Sequence, residues 1–262
     1  MKLPFQRSAA TATAFAPTCA EFPPIDGAEI SAVVHGARVG GDFYHFMRTT
    51  PHRVVFGLLD VAGQRAENQS IIAATRAVFQ EAACARFSDD DINEADAMME
   101  FCMDLNSVIR RSASAVCVCA AFVGCYSEDF GTICYVNAGH TPGLLRHGDE
   151  IVELRATGLP LGLFAASTYE APTAHIAPGS ALLLVSRGVV EALRRKEEFG
   201  LHRVKEHYAS LPLDSANVIA GSILDAVGRH LGTTPATNDL TTLALLRATR
   251  NRTSAGSPGS GS

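Results

Sequence analysis

The sequence predicts an α+β fold, with antiparallel sheets and the helices grouped outside them. Two observations lead there. Short apolar runs follow one another across turns of a few residues, which suits hairpins and leaves no room for the crossovers of a parallel sheet. Helical patterns gather in a few blocks and do not follow every strand. The chain has 262 residues and is 47% hydrophobic, enough for one sizeable core in a single domain.

Taken in order, "AEISAVVH" (28–35) and "RVVFGLLDV" (53–61) are rich in β-branched and apolar residues and read as strands. From 66 to 87 Ile71, Ile72, Thr75, Val78, Phe79 and Ala82 recur at helical spacing. A second helix is expected after Asp91, which with Glu94 resembles a capping box, and carries Met98, Met99, Cys102, Leu105 and Ile109 on one stripe. Strands are expected at 115–126, 131–138, 143–147, 150–155, about 168–176 and 181–186. Helical patterns occupy 188–195 and about 213–231, and "DLTTLALLR" (239–247) closes as a strand. The organisation expected is an N-terminal extension (1–27), a folded domain (28–248) and a disordered Gly/Ser-rich tail (249–262), with no attached sensor domain.

Composition excludes several classes. A net charge of −5 without a basic block gives no footprint for nucleic acid. No apolar run approaches the roughly 20 residues of a membrane helix, and Arg7 with scattered Ser and Thr interrupts any signal-like core near the start. A soluble cytoplasmic protein is expected. The seven cysteines show no CxxC pair and no zinc spacing, so they read as buried, reduced thiols.

Two acidic residues stand out. Asp42 follows a double glycine in "VGGDFYH", and Asp60 ends the apolar run "VVFGLLD". A carboxylate at the end of a buried strand needs a cation, donors or water. Taken by themselves, the two are either turn-forming aspartates or a pair of oxygen ligands for a hard divalent ion, Mg²⁺ or Mn²⁺. His140 in "NAGHTP" reads as a loop tie more readily than as a general acid. Gly158 and Gly162 read as loop geometry, since no helix start follows them.

"VGGDFYHF", "GLLDVAGQ", "YVNAGHTPGLL", "GLPLGLF", "LLLVSRGVVEA" followed by "EEFG", and "NDLTTLALL" occur in this order. Together they resemble the ordered signature of PPM-type metal-dependent protein serine/threonine phosphatases, in the bacterial SpoIIE/RsbU-like branch. The resemblance implies a four-layer α-β-β-α sandwich. It also implies hydrolysis of phosphoserine or phosphothreonine on a regulatory protein, such as an anti-sigma-factor antagonist, by water activated on Mn²⁺ or Mg²⁺. Carried over by motif, Asp60 would bridge two cations, with the Val61 carbonyl and Asp42 on the second.

The first-cation half departs from that pattern. The family's Thr/Ser-Asp-Gly turn is here Ser186-Arg187-Gly188, so a guanidinium stands where an aspartate ligand is expected. The closing Asp-Asp or Asp-Asn pair is here Asn238-Asp239: Asn238 keeps an amide oxygen without charge, and Asp239, one residue along, is expected on the opposite face. His45 replaces a frequent acid and Arg65 a usual glycine. Arg187 is therefore expected either to act as a tethered cation paired with Asp60 or to turn into solvent. One cation site is supported and the second compromised. Two classes of function follow: a phosphatase of weak activity, or a pseudophosphatase that binds a phosphoprotein or anti-sigma partner without turnover. Homodimerisation through helical surfaces is compatible with either.

Overall fold

The computed structural model describes residues 18–20, 22, 25–36, 41–63, 65–113 and 117–249. The expected tail, apart from its first residue, and most of the N-terminal extension lie outside them. The chain opens with strands β1 (Thr18–Ala20), β2 (Ala28–His35), β3 (Asp42–Thr50) and β4 (Arg53–Val61), then helices α1 (Arg65–Phe87) and α2 (Glu94–Ser112). Strands β5 (Cys119–Ser127), β6 (Thr132–Ala138), β7 (Gly143–His147), β8 (Glu150–Leu154), β9 (Thr173–His175) and β10 (Ala181–Val185) follow. A one-turn α3 (Arg187–Val190) and the ribbon β11 (Leu193–Arg194) and β12 (Glu197–Glu198) lead to α4 (Gly200–Ser210), α5 (Ala216–Leu231) and β13 (Leu240–Arg247).

Six strands form one sheet in the order β1-β2-β13-β10-β7-β8, and five form the other in the order β3-β4-β5-β6-β9. Every pair in both sheets is antiparallel. Three apolar layers hold the molecule together. Phe79, Phe101 and Leu105 of α1 and α2 pack on Val55 and Leu59 of the five-stranded sheet. Phe56 and Leu58 meet Leu182, Leu184, Leu243 and Leu245 between the sheets. Ile219, Ile223 and Val227 of α5 pack on Leu183, Val185 and Ala244. Three apolar layers separate four structural ones, so the architecture is the α-β-β-α sandwich, built around stacked cores where one had been expected.

The alternation along the central strands explains their unbroken apolar sequence. In β4, Val54, Phe56 and Leu58 face the other sheet, while Val55, Leu59 and Val61 face the helices. In β10, Leu182 and Leu184 face inward between the sheets, and Leu183 and Val185 face α5. Both faces are covered, so both must be apolar.

Two local expectations are corrected, and two elements are added to those expected. Helix α2 is capped by Asn93, whose Oδ1 accepts from the Ala95 and Asp96 N–H groups, and not by Asp91. The helix expected over 188–195 stops after one turn, because Arg195 and Lys196 adopt left-handed φ of 49° and 72° to turn the β11–β12 ribbon. Strand β3 and helix α4 were not anticipated: β3 is an edge strand of mostly half-buried residues, and α4 buries only Val204 and Tyr208.

Candidate functional site

The alternation that fills the inter-sheet core also builds the site. Continuing the inward face of β4 past Phe56 and Leu58 brings Asp60 to the seam between the sheets. Asp42 lies directly opposite it in the β3–β4 register, on the face of Tyr44 and Phe46. Cross-strand neighbours of this kind have Cβ atoms about 5 Å apart. From the other sheet, the face of Leu243 and Leu245 continues to Thr241 and Asp239, and that of Leu182 and Leu184 to Ser186.

Asp239 is thus buried on the site side, which overturns its expected orientation. Alternation counted from Asn238 fails because the chain bends at 237–238, while Asp239 continues the face of Thr241 and Leu243. Both residues line one cavity of about 280 Å³, together with Gly41, Asp42, Asp60, Val61, Ala62, Gly63, Arg187 and Gly188. All the residues singled out as ligands therefore meet in one place, including Arg187 at the altered position.

Two backbone approaches fix the cavity. A Cβ on Gly41 would lie 2.4 Å from the Val61 carbonyl oxygen, and one on Gly188 would lie 2.0 Å from the Asp239 carbonyl oxygen. Any side chain at either position would push the strands apart. The Gly41 N–H donates to Asp239 Oδ2 at 2.9 Å, and the Val61 N–H donates to the Gly41 carbonyl at 2.9 Å. Asn68, fully buried in the first turn of α1, donates from Nδ2 to the Val61 carbonyl at 3.2 Å. That residue escaped sequence reading; its only signal was an amide four residues after the "AGQ" turn.

The charges are unevenly satisfied. Asp42 Oδ2 is buried and has no hydrogen-bond partner among the described residues. Burial, with the neighbouring Asp60 charge, pushes the Asp42 carboxyl up to about 8, although the Ser186 and Thr241 hydroxyls oppose the rise. Burial also raises Asp60; the Arg187 guanidinium acts against this, and Asp239 and Glu191 add to it. Arg187 Nε lies 3.4 Å from Asp60 Oδ2, with the Arg187 side chain 55% exposed and that of Asp60 11%. The guanidinium has therefore not turned away into solvent; it stands over the Asp60 carboxylate.

The donor set is of the oxygen type that suits a divalent cation, although among the described residues no group of three or more His, Cys, Asp or Glu is placed to hold a metal ion as they stand. An orphaned buried carboxylate oxygen beside two further aspartates is oxygen-rich and short of positive charge. A second cation against Asp60 would meet the guanidinium, and Asn238 brings no charge to offset it. His140 does not line the cavity: its N–H donates to Asn137 Oδ1 at 2.8 Å and its Nδ1 lies 3.0 Å from the Thr141 carbonyl, the loop tie expected. His45 packs its ring against Phe79 of α1, also away from the cavity.

A four-layer sandwich with carboxylates converging at the seam between its sheets is the fold of PP2C-type phosphatases. It superposes on the PP2C phosphatase domain of SpoIIE from Bacillus subtilis with a TM-score of 0.70, at 18% identity over 84% of this chain and 63% of that one. A structure of the RsbU and RsbW domains of a Mycobacterium tuberculosis protein gives 0.70 at 21% identity, covering 85% of this chain and 62% of that one. The chain belongs to the SpoIIE family: the profile of Stage II sporulation protein E (SpoIIE) matches residues 50–248. Phosphoserine phosphatase RsbU of Bacillus subtilis is 26% identical over 211 residues, covering 77% of this chain. The chain spans 59% of RsbU's length. No described helix is long and apolar enough to cross a membrane.

Proposed function

We propose that this chain is a SpoIIE/RsbU-type serine/threonine phosphoprotein phosphatase domain of slow turnover, acting in the cytoplasm on a phosphorylated regulatory protein of the anti-sigma-antagonist kind. The observation that carries this reading is the convergence of Asp42, Asp60 and Asp239 on one cavity, with a buried Asp42 oxygen left unpaired. Two curated relatives are phosphoserine phosphatases, RsbU and RsbP, and one similar structure joins an RsbU domain to an RsbW domain, which supports the choice of substrate and partner class.

The family is metal-dependent, using Mn²⁺ or Mg²⁺. Here Asp42, Asp60, Asp239 and the Val61 carbonyl would hold the ion, with Asn238 at the rim. Bound there, it would supply an acidified water as nucleophile and neutralise charge on the phosphoryl oxygens. The chain's own residues keep the carboxylates in place: the β3–β4 register sets Asp42 against Asp60, and the Gly41 N–H orients Asp239. Slow turnover is expected because Arg187, beside Asp60, would compete with cations for that carboxylate.

The ion pair itself favours a second reading, a pseudophosphatase that binds a phosphoprotein or anti-sigma partner stoichiometrically. One assay separates the two. The protein is offered a phosphoserine peptide with Mn²⁺, beside the Arg187→Asp, Asn238→Asp double variant. Turnover by the wild type above the metal-only background supports the phosphatase. Turnover by the double variant alone identifies the pseudophosphatase and its electrostatic lesion, and none in either removes the phosphatase reading. A homodimer through the outer helices is compatible with either reading.

A further inference from the structure

We propose that Arg187 is a phosphate-anchoring residue that exchanges partners, leaving Asp60 for the phosphoryl group of a phosphoserine or phosphothreonine, so that anion and divalent cation bind the seam cooperatively. The inference rests on the reading of this cavity as the place that receives a phosphoprotein.

The backbone around Arg187 is clamped while its side chain is more than half exposed. Before it, the Ser186 N–H donates to the Thr241 carbonyl at 2.8 Å, and Ser186 Oγ accepts from the Thr241 N–H at 3.1 Å. After it, Gly188 is pressed against the Asp239 carbonyl. The residue thus projects from a fixed point at the edge of the cavity, with its side chain 55% exposed.

Its present contacts are loose. Nε reaches Asp60 Oδ2 at 3.4 Å and Glu191 Oε2 at 3.9 Å, and the guanidinium donates no hydrogen bond to any described residue. An arginine that formed a structural ion pair would present its fork to the carboxylate at about 2.8 Å. Here the two Nη groups are left for a planar, bidentate acceptor, and a phosphoryl group matches that geometry where a lone carboxylate at 3.4 Å does not.

Charge makes the exchange conditional. Asp42, Asp60 and Asp239 line the cavity, with Glu191 beside Arg187, so a phosphate dianion meets three or four carboxylates and one guanidinium. If Arg187 turns to the phosphate, Asp60 loses its only cationic partner among the described residues. A divalent cation at the carboxylates satisfies both Asp60 and the anion. Conversely, cation binding at Asp60 displaces Arg187, which then needs an anion. Each ligand removes the other's competitor, and the coupling is reciprocal by linkage.

The test is calorimetry with Mg²⁺ and inorganic phosphate, separately and together, corrected for the Mg²⁺–phosphate complex in solution. In the wild type, saturating phosphate should tighten Mg²⁺ about tenfold, and saturating Mg²⁺ should tighten phosphate by the same factor. Arg187→Ala should bind Mg²⁺ alone more tightly than the wild type, since the competing cation is gone, and should lose the dependence on phosphate. Arg187→Lys keeps the charge without the fork and should retain only part of the coupling. Phosphate binding that is unchanged in Arg187→Ala, or Mg²⁺ binding that ignores phosphate in the wild type, would overturn the proposal. Because Arg187 is exposed at a turn tip, equal melting temperatures should show that the variants fold. Turnover is not read: a protein that couples the two ligands without hydrolysis keeps this inference and loses the catalytic one, and hydrolysis without coupling does the reverse.

Discussion

Asp239 Oδ2 accepts the Gly41 N–H at 2.9 Å, and this bond crosses from one sheet to the other. Gly41 immediately precedes β3 and Asp239 immediately precedes β13, so the bond ties the two strand starts that bound the cavity. The close approach of Gly41 to Val61 is part of the same arrangement.

Gly41→Ala should therefore damage fold and site together. Its Cβ would stand 2.4 Å from a backbone oxygen, which cannot rotate away. The expected cost is about 1–3 kcal/mol in urea unfolding, with at least a severalfold loss of Mg²⁺ affinity. A variant that keeps both would show that the seam yields more readily than the structure implies.

The buried Asp42 gives the metal-free protein a pH signature. Its folded pKa of about 8 lies above the ordinary 3.8, so the fold binds the extra proton. The resulting stability is present in acid and is lost as pH rises toward and through about 8. Melting temperature in EDTA should fall between pH 6 and 9 in the wild type and stay flatter in Asp42→Asn. Adding Mg²⁺ at pH 9 should restore the wild type and leave the variant unchanged.

His140 acts at the other end of the scale. Complete burial pushes its imidazole down to about 4, the bond to the Thr141 carbonyl opposing this only in part. The ring is neutral in the fold, so its contribution is full above about 6.5 and is lost as pH falls through 4, a difference of about 3 kcal/mol. Denaturant midpoints measured from pH 7 to pH 4 should fall less steeply in His140→Asn, and an equal slope would place the acid sensitivity elsewhere.

Helix α5 borrows its cap from a strand. Ser215 makes no capping bond of its own, and Glu29 of β2 accepts from the Ser215 hydroxyl at 3.0 Å and the Asn217 N–H at 3.2 Å. Glu29→Ala should cost about 1 kcal/mol in urea unfolding without changing Mg²⁺ binding. Loss of cation affinity in this variant would mean that α5 and the seam are coupled.

What the sequence showed of this fold followed how completely each element is buried. Strands β4, β10 and β13 are covered on both faces and read as apolar runs, so their positions were legible to within about a residue. Strand β3 was not, because an edge strand with the order "DFYHFMRTT" has neither an apolar run nor clean alternation. The polar helix α4 left only Val204 and Tyr208 as an apolar signal, too little to show a period. At the site, Asp42, Asp60 and Arg187 could be found by motif, but the facing of Asp239 could not. Asp239 continues the alternation of Leu245, Leu243 and Thr241, while the bend at 237–238 brings its neighbour Asn238 to the same cavity, so counting from Asn238 misplaces it. Asn68 was invisible for a different reason: its partner is a main-chain carbonyl, which carries no side-chain signature.

The clamped turn that presents Arg187 has a corollary. Ser186 and Gly188 carry the structural demands, while the side chain between them is more than half exposed. One substitution there, arginine for aspartate or the reverse, changes the local charge by two without disturbing a packed side chain. The charge at the seam can therefore change sign through a position that the fold constrains little, while the strands and helices that frame the cavity stay as they are.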